Sequence, residues 1–341
     1  MSKAEQQTQT DSQSKKDEYW IGFDLGGTKM LSVVFDSDFK PVGKNRKKTK
    51  GHEGMEAGLK KINTVIKDSI EDAGIEVSQV KGLGIGCPGP LDFAKGTIRE
   101  APNLGWTKVP IRKNIENEFG FHVEIANDVD SGVFGEYQFG AGKKARCVVG
   151  IFPGTGIGGG CVYEGKLFRG MNTSCMELGH IPLLPGGPLD GAGNPGSLEA
   201  VASRLAIAGH AAQAAYRGRA PKLMKSSGTD VSNIRSGALS DAIEAGDEAI
   251  KEILIDTCFY LGLAVVTVVH LLGPDVVVFG GGLIEAMPEL MLDEIEAVAR
   301  PRVLESLRDE FQIVEASLGD NAGVMGAAAL ARQAVVAKSA D

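Results

Sequence analysis

Apolar side chains first gather in a short run, Tyr19–Leu25, which ends at Gly26-Gly27 and predicts a buried strand. Gly26-Gly27-Thr28-Lys29 follows as a turn, Met30–Asp36 as a second strand and Val42–Thr49 as a third. Over 54–73 the apolar positions change period. Met55, Leu59, Ile62, Val65, Ile66, Ile70 and Ala73 line one face of a helix, and Gly74 supplies the stop. Val80–Cys87 reads as a strand running into Pro88-Gly89-Pro90, with a helix at 110–119 and a strand at 122–126. Strands that alternate with helices argue for an α/β layer.

The second half repeats this opening. Cys147–Phe152 is a strand, Pro153 to Gly160 a glycine loop, and Cys161–Tyr163 a returning strand closed by the turn Glu164-Gly165-Lys166. Two strand–glycine–strand units about 130 residues apart predict two lobes of related architecture, since the spacing is far too long for a solenoid. Helices are expected near 197–216, 247–272 and 284–300, with strands at Asp275–Phe279 and 311–316 and a last helix at 322–338. Residues 217–237 are polar without a clear period and read as a surface excursion. The expected division is a disordered tail at 1–18, an N-terminal lobe at 19–126 on which the helix at 322–338 packs, and a C-terminal lobe at 127–321.

Composition narrows the function. Of 341 residues, 43% are hydrophobic and 23% charged, enough apolar surface for a large core. The net charge of −8 gives no electrostatic footprint for nucleic acid, and the lysines at 44–50 read as a solvated hairpin edge. The longest apolar stretch, Leu261–Leu272, is too short to span a bilayer, and the polar N-terminus lacks the apolar core of a secretory signal. Five scattered cysteines without a C-x-x-C point to unpaired thiols in a reducing cytoplasm. The 46 glycines are about twice the usual share and fall at strand ends.

Glycine loops after strands bring backbone N–H groups close to anionic oxygens, so phosphate binding is the first chemistry to test. There is no G-x-x-x-x-G-K-[ST]. Gly154 to Gly159 has the spacing of a dinucleotide fingerprint but opens a strand instead of a helix, so that reading fails. Two hairpin cradles remain, at 26–29 and 154–159, which together could hold one polyphosphate; the plainer alternative for each is a glycine turn. Asp24, at the end of the first strand, either holds Mg²⁺ through water or satisfies turn amides. Asn127-Asp128 either caps the helix at 129–139 or supplies a general base at a strand's C-terminal mouth. Glu177-Leu178-Gly179-His180 sets a carboxylate three residues from an imidazole, but no H-E-x-x-H is present. Asn103 and Trp106 lie in a loop that is polar and aromatic.

In combination, these stretches resemble the ROK family of sugar kinases and sugar-responsive repressors. The resemblance is carried, in family order, by Asp24 to Lys29, Pro88-Gly89-Pro90, Asn103 to Trp106, Asn127-Asp128, Gly154 to Gly160, Glu177 to His180, Gly281-Gly282 and Asp320 to Gly323. It implies the two-lobed actin/hexokinase-like ATPase fold. It also implies Asp128 as catalytic base, and Asn103, Asn127, Glu177, His180 and Glu199 as ligands of sugar hydroxyls, with Gly89 lending backbone. Asp24, Gly26, Gly27, Thr28, Lys29, Thr155 and Gly156 then face the phosphates and Mg²⁺, while Gly281 and Gly282 let adenosine lie close to the chain. The family commonly carries a zinc motif, C-x-C-G-x-x-G-C-x-E. Here Asp190, Ala192 and Ser197 stand at its cysteine positions, so the expectation is no zinc and a loop held by glycine turns, Pro195 and packing.

The function so implied is ATP-dependent phosphorylation of a hexose, glucose first, with ATP and Mg²⁺ as cofactors. The protein is expected to be a cytoplasmic homodimer without a nucleic-acid or membrane partner. Alternatives are a kinase for another hexose such as an N-acylmannosamine, a polyphosphate-dependent glucokinase and a non-catalytic sugar sensor. A repressor would need a DNA-binding domain, for which the stretch ahead of Tyr19 is too short and polar.

Overall fold

A computed structural model describes residues 18–171 and 175–340. The expected tail at 1–18 lies almost wholly outside the described residues. The chain forms two compact units. The first runs to Phe139, takes in the short stretch that begins at Arg169, and takes up the chain again from Asp320; the second is built from Gly140–Phe168 and Met176–Gly319.

In the first unit, β1 (Tyr19–Leu25) pairs antiparallel with β2 (Lys29–Phe35), which pairs antiparallel with β3 (Pro41–Lys48). Helix α1 (Met55–Asp72) leads to β4 (Val80–Cys87), which lies parallel to β1. A small sheet of β5 (Leu91–Asp92), β6 (Thr97–Ala101) and β7 (Trp106–Val109) precedes α2 (Ile111–Phe119) and β8 (His122–Asn127), parallel to β4. The main order is β3-β2-β1-β4-β8. Strand side chains alternate between faces, so each face takes its own cover. Leu59, Ile62, Val65, Ile66 and Ile70 of α1 bury against the face that carries Ile21 and Val34. The opposite face takes the C-terminal helix, Ala322–Ala340. A Cβ on Gly22 would lie 1.8 Å from the Val324 carbonyl oxygen, and one on Gly84 1.8 Å from that of Ala327, so only glycine allows this approach.

Helix α3 (Asp128–Phe139) packs beside the C-terminal helix, where a Cβ on Gly135 would meet the Ala322 carbonyl oxygen at 2.3 Å. It therefore belongs to the first unit, and the boundary expected at 126/127 falls at 139/140. The small sheet was not among the expected elements, of which only a loop around Asn103 and Trp106 was read; its Trp106 is buried and donates to the Gly51 carbonyl at 3.3 Å.

The second unit repeats the antiparallel hairpin in β9 (Cys147–Pro153) and β10 (Ile157–Tyr163), with β11 (Lys166–Leu167) beside β10. Helices α4 (Leu198–Ala202), α5 (Arg204–Tyr216), α6 (Pro221–Ser227), α7 (Ser236–Glu244) and α8 (Glu248–Leu272) follow. Then come β12 (Val276–Phe279), α9 (Gly282–Ala286), α10 (Pro288–Ala299) and β13 (Gln312–Glu315). Strand β12 lies parallel to β9 as β4 does to β1, giving the order β11-β10-β9-β12-β13.

Three expectations are corrected here. The helix at 197–216 breaks at Ser203, whose hydroxyl caps α5 through the Ala206 N–H at 3.2 Å. The supposed excursion at 217–237 contains α6, which starts at Pro221, an imino acid suited to a first helical turn. Helix α8 is 25 residues long and by length and composition could cross a membrane. In the fold it is a core helix: Leu254, Cys258, Leu261, Val265 and Val269 are buried among the second unit's apolar side chains.

Candidate active site

In the first unit, β1, β4 and β8 run parallel and end together, with Asp24 opposite Gly86 and Cys87 opposite Asn127. Ligands of α/β sheets bind at such C-terminal strand ends. The hairpin Gly26–Thr28 then turns the chain back into β2. Thr49 fastens it: its hydroxyl donates to the Gly26 carbonyl at 2.6 Å and its N–H to the Thr28 carbonyl at 2.9 Å. Beside the hairpin lies a cavity of about 210 Å³, lined by Asp24, Gly26, Gly27, Thr28, Lys29, Arg46 and Asp320 among others.

Asp24 is mostly buried, and its pKa rises from 3.8 to about 6. Burial is the main cause, followed by the negative charges of Asp128 and Asp320, against which Arg46 and Lys29 work. Arg46 ion-pairs with Asp320 at 3.2 Å, and β-sheet register sets Arg46 across Leu31 from Asp24. Neither Arg46 nor Thr49 was expected at the site.

Asp128 opens α3, and its Oδ1 accepts the Val129 N–H at 3.0 Å. Asn127 caps the same helix, accepting from the N–H groups of Val129 at 2.9 Å and Asp130 at 3.3 Å. Asn103 sits in the short turn Pro102–Leu104, where a Cβ on Gly27 would lie 3.3 Å from its own Cβ; the turn thus borders the hairpin. Gly89 lies between β4 and β5, beside the backbone of Glu100.

In the second unit, the loop between β9 and β10 is closed by the Gly154 N–H on the Gly156 carbonyl at 2.8 Å. Glu199, on α4, accepts the Ile157 N–H through Oε2 at 3.0 Å and the Gly191 N–H through Oε1 at 3.3 Å. A Cβ on Gly156 would come within 2.1 Å of that Oε2, so the carboxylate occupies the space a side chain would need. Arg204 reaches the Thr155 hydroxyl at 2.9 Å and brings a cation to the loop. Gly281 and Gly282 form the turn from β12 into α9, close to the Pro153 carbonyl at the end of β9. Glu177 and His180 flank the short turn Leu178–His180, which lies against Ile157 of β10.

The loop after His180 corrects the expectation that glycine turns, Pro195 and packing hold it. The Asp190 carboxylate is its centre. Oδ1 accepts the N–H groups of Ala192 at 2.9 Å and Asn194 at 2.8 Å. Oδ2 takes the Ser197 hydroxyl at 2.8 Å, the Asn194 amide at 3.3 Å and His180 Nδ1 at 2.8 Å. Among the described residues no three metal-ligating side chains converge on a point. The run Asp-Gly-Ala-Gly-Asn carries a visible turn signal, but nothing in it specifies the partner at position 180.

The expected site residues thus divide, with Asp24 to Lys29, Gly89, Asn103, Asn127 and Asp128 in the first unit and Thr155, Gly156, Glu177, His180, Glu199, Gly281 and Gly282 in the second. Paired hairpin-plus-parallel sheets carrying these glycine turns define the actin/hexokinase-like ATPase fold. The structure is similar to a glucokinase from Streptomyces griseus solved with glucose and AMPPNP. The TM-score is 0.79 at 32% identity, covering 92% of this chain and 99% of that one. It is similar also to a ROK hexokinase from Thermus thermophilus, with TM-score 0.79, 32% identity, and 94% and 99% covered. In sequence, the chain is 31% identical to a glucokinase of Thermotoga maritima over 92% of this chain and 98% of that protein.

The ROK family pattern matches residues 20–334, and the chain belongs to the ROK family. It is a sugar kinase.

Proposed function

We propose that the chain transfers the terminal phosphoryl group of ATP to a hexose, with glucose the first substrate and its C6 hydroxyl the acceptor. The observation that carries this reading is the pair Asp24 and Asp128 at the ends of parallel strands, beside a hairpin whose carbonyls are turned to Thr49. The sugar and nucleotide bound by the Streptomyces griseus relative support it.

In the first unit, Asp128 accepts the proton of the attacking hydroxyl, and Asn103, Asn127 and Gly89 bind the sugar. The hairpin 26–29 presents amides and the Lys29 ammonium to the phosphates. In the second unit, Glu177, His180 and Glu199 take sugar hydroxyls. Thr155 and Gly156 bind phosphate, and Gly281 and Gly282 admit the adenosine. Since the family fold implies Mg²⁺, the donor set can be tested against it. Burial, and after it the charges of Asp128 and Asp320, raise the pKa of Asp24, and a divalent cation relieves that repulsion, so the residues fit. With no protein cage among the described residues, Asp24 would hold the ion through water. When bound, Mg²⁺ neutralises charge on the β- and γ-phosphates. Alignment and charge stabilisation supply most of such a transfer.

The test is Asp128→Asn, assayed by ADP release over a panel of hexoses and amino-hexoses with ATP and with polyphosphate as donors. A general base contributes about 10²–10⁴-fold, so kcat should fall by that factor while the fold is kept. Undiminished turnover in the variant refutes the assignment.

A further inference from the structure

The Asp190 side chain is 0% exposed, whereas that of His180 beside it is 39% exposed. Its two oxygens divide their work. Oδ1 binds only backbone N–H groups, those of Ala192 and Asn194, and so shapes its own turn. Oδ2 binds only side chains, those of Ser197, Asn194 and His180. We propose that Asp190 is a positioning residue for the sugar-binding imidazole: through Oδ2 it fixes the Nδ1–H form of His180 and leaves Nε2 for the hexose. This rests on the reading of His180 as a sugar ligand.

Chemistry dictates the direction of the bond. Burial alone would raise the Asp190 pKa, but the hydrogen bonds from His180, Asn194 and Ser197 outweigh it, and the carboxyl is held well below the usual range. Near neutral pH it is ionised and can only accept, so Nδ1 must carry the proton. The pKa of His180 is raised, first by this hydrogen bond and then by the charges of Glu199, Asp190 and Glu177, with burial opposing. Below that pKa, Nε2 carries a proton and donates to a sugar oxygen; above it, Nε2 accepts from a sugar hydroxyl. In both forms the ring is held by Asp190, as a second partner commonly orients a working imidazole.

Asp190→Asn separates the two jobs. The amide oxygen still serves Ala192 and Asn194, while the NH₂ group faces His180 and offers a donor where an acceptor stood. The experiment is a histidine ¹⁵N spectrum of the full chain, with His180 assigned by loss of its signals in His180→Gln, together with hexose and ATP kinetics. The unaltered protein should show neutral His180 as the Nδ1–H tautomer. In Asp190→Asn it should switch to Nε2–H with a lowered pKa. KM for the hexose should rise about tenfold or more while KM for ATP stays within about twofold, and Asp190→Glu should restore part of the loss. An Nε2–H tautomer in the unaltered protein overturns the proposal, even if Asp190→Asn fails to fold. So does an unchanged hexose KM in a folded Asp190→Asn. If the unaltered chain phosphorylates no hexose, the kinase reading fails, and the tautomer alone still decides the Asp190–His180 pairing.

Discussion

Replacing Asp24 by Asn should stabilise the free protein while abolishing its activity. The folded-state pKa of Asp24 is about 6 against 3.8 for an unhindered carboxyl. Between those values the folded chain holds a proton that the unfolded chain has released, so stability falls as pH rises through this window and the full penalty stands above it. At about 1.36 kcal/mol per pH unit the difference is worth about 3 kcal/mol, an upper bound once water and side chains relax; about 1–3 kcal/mol is the expected range. An uncharged amide of the same shape escapes the penalty. In urea titrations, Asp24→Asn should therefore exceed the unaltered protein in stability at pH 8, with the gap closing as pH falls from 6 towards 4. Added Mg²⁺ should narrow the gap from the other side, by relieving the carboxylates of the unaltered chain. A gap that ignores pH, or a variant less stable at pH 8, would show that Asp24 is not a strained carboxylate.

Two other outcomes follow from the second unit. Gly156→Ala forces its new methyl group onto Glu199 Oε2, 2.1 Å away. The carboxylate must leave the Ile157 N–H, at a cost of about 1–3 kcal/mol, and KM for ATP should rise at least tenfold; a wild-type KM and melting temperature would exclude the clash. Metal analysis of the purified protein should return far less than one zinc per chain, and a chelator should leave the melting temperature unmoved, because Asp190 already organises the loop; stoichiometric zinc would refute this.

The elements that could be read from the chain were those written locally. Both glycine hairpins, the stripe of α1 and the strand at 80–87 carry their period in consecutive residues. Arg46 was hidden because its importance is a relation across three strands, Asp24 to Leu31 to Arg46, while along the chain it is one cation in a basic run. Helix α8 was legible at nearly its full length, but its uninterrupted apolar run covers only Leu261–Leu272, because Lys251, Glu252 and Asp256 break the earlier part while leaving its core-facing stripe intact. Asp190 was read only as standing at a lost cysteine position, because its hold on His180 depends on a fold that brings positions ten apart together. The Asn127 cap and the Asp128 base were weighed as alternatives. The structure shows both side chains accepting N–H groups at the start of α3, so the cap is present whatever further part Asp128 plays.

The seating of Ala322–Ala340 against Gly22 and Gly84 has a consequence for biosynthesis. The earliest strands to leave the ribosome lack one side of their cover until the last segment is made, about 180 residues after Phe139. At roughly 5–20 residues per second this is a wait on the order of ten seconds or more, with one face of the nascent sheet bare. Translation speed and chaperone access during that interval should therefore influence the yield of this protein.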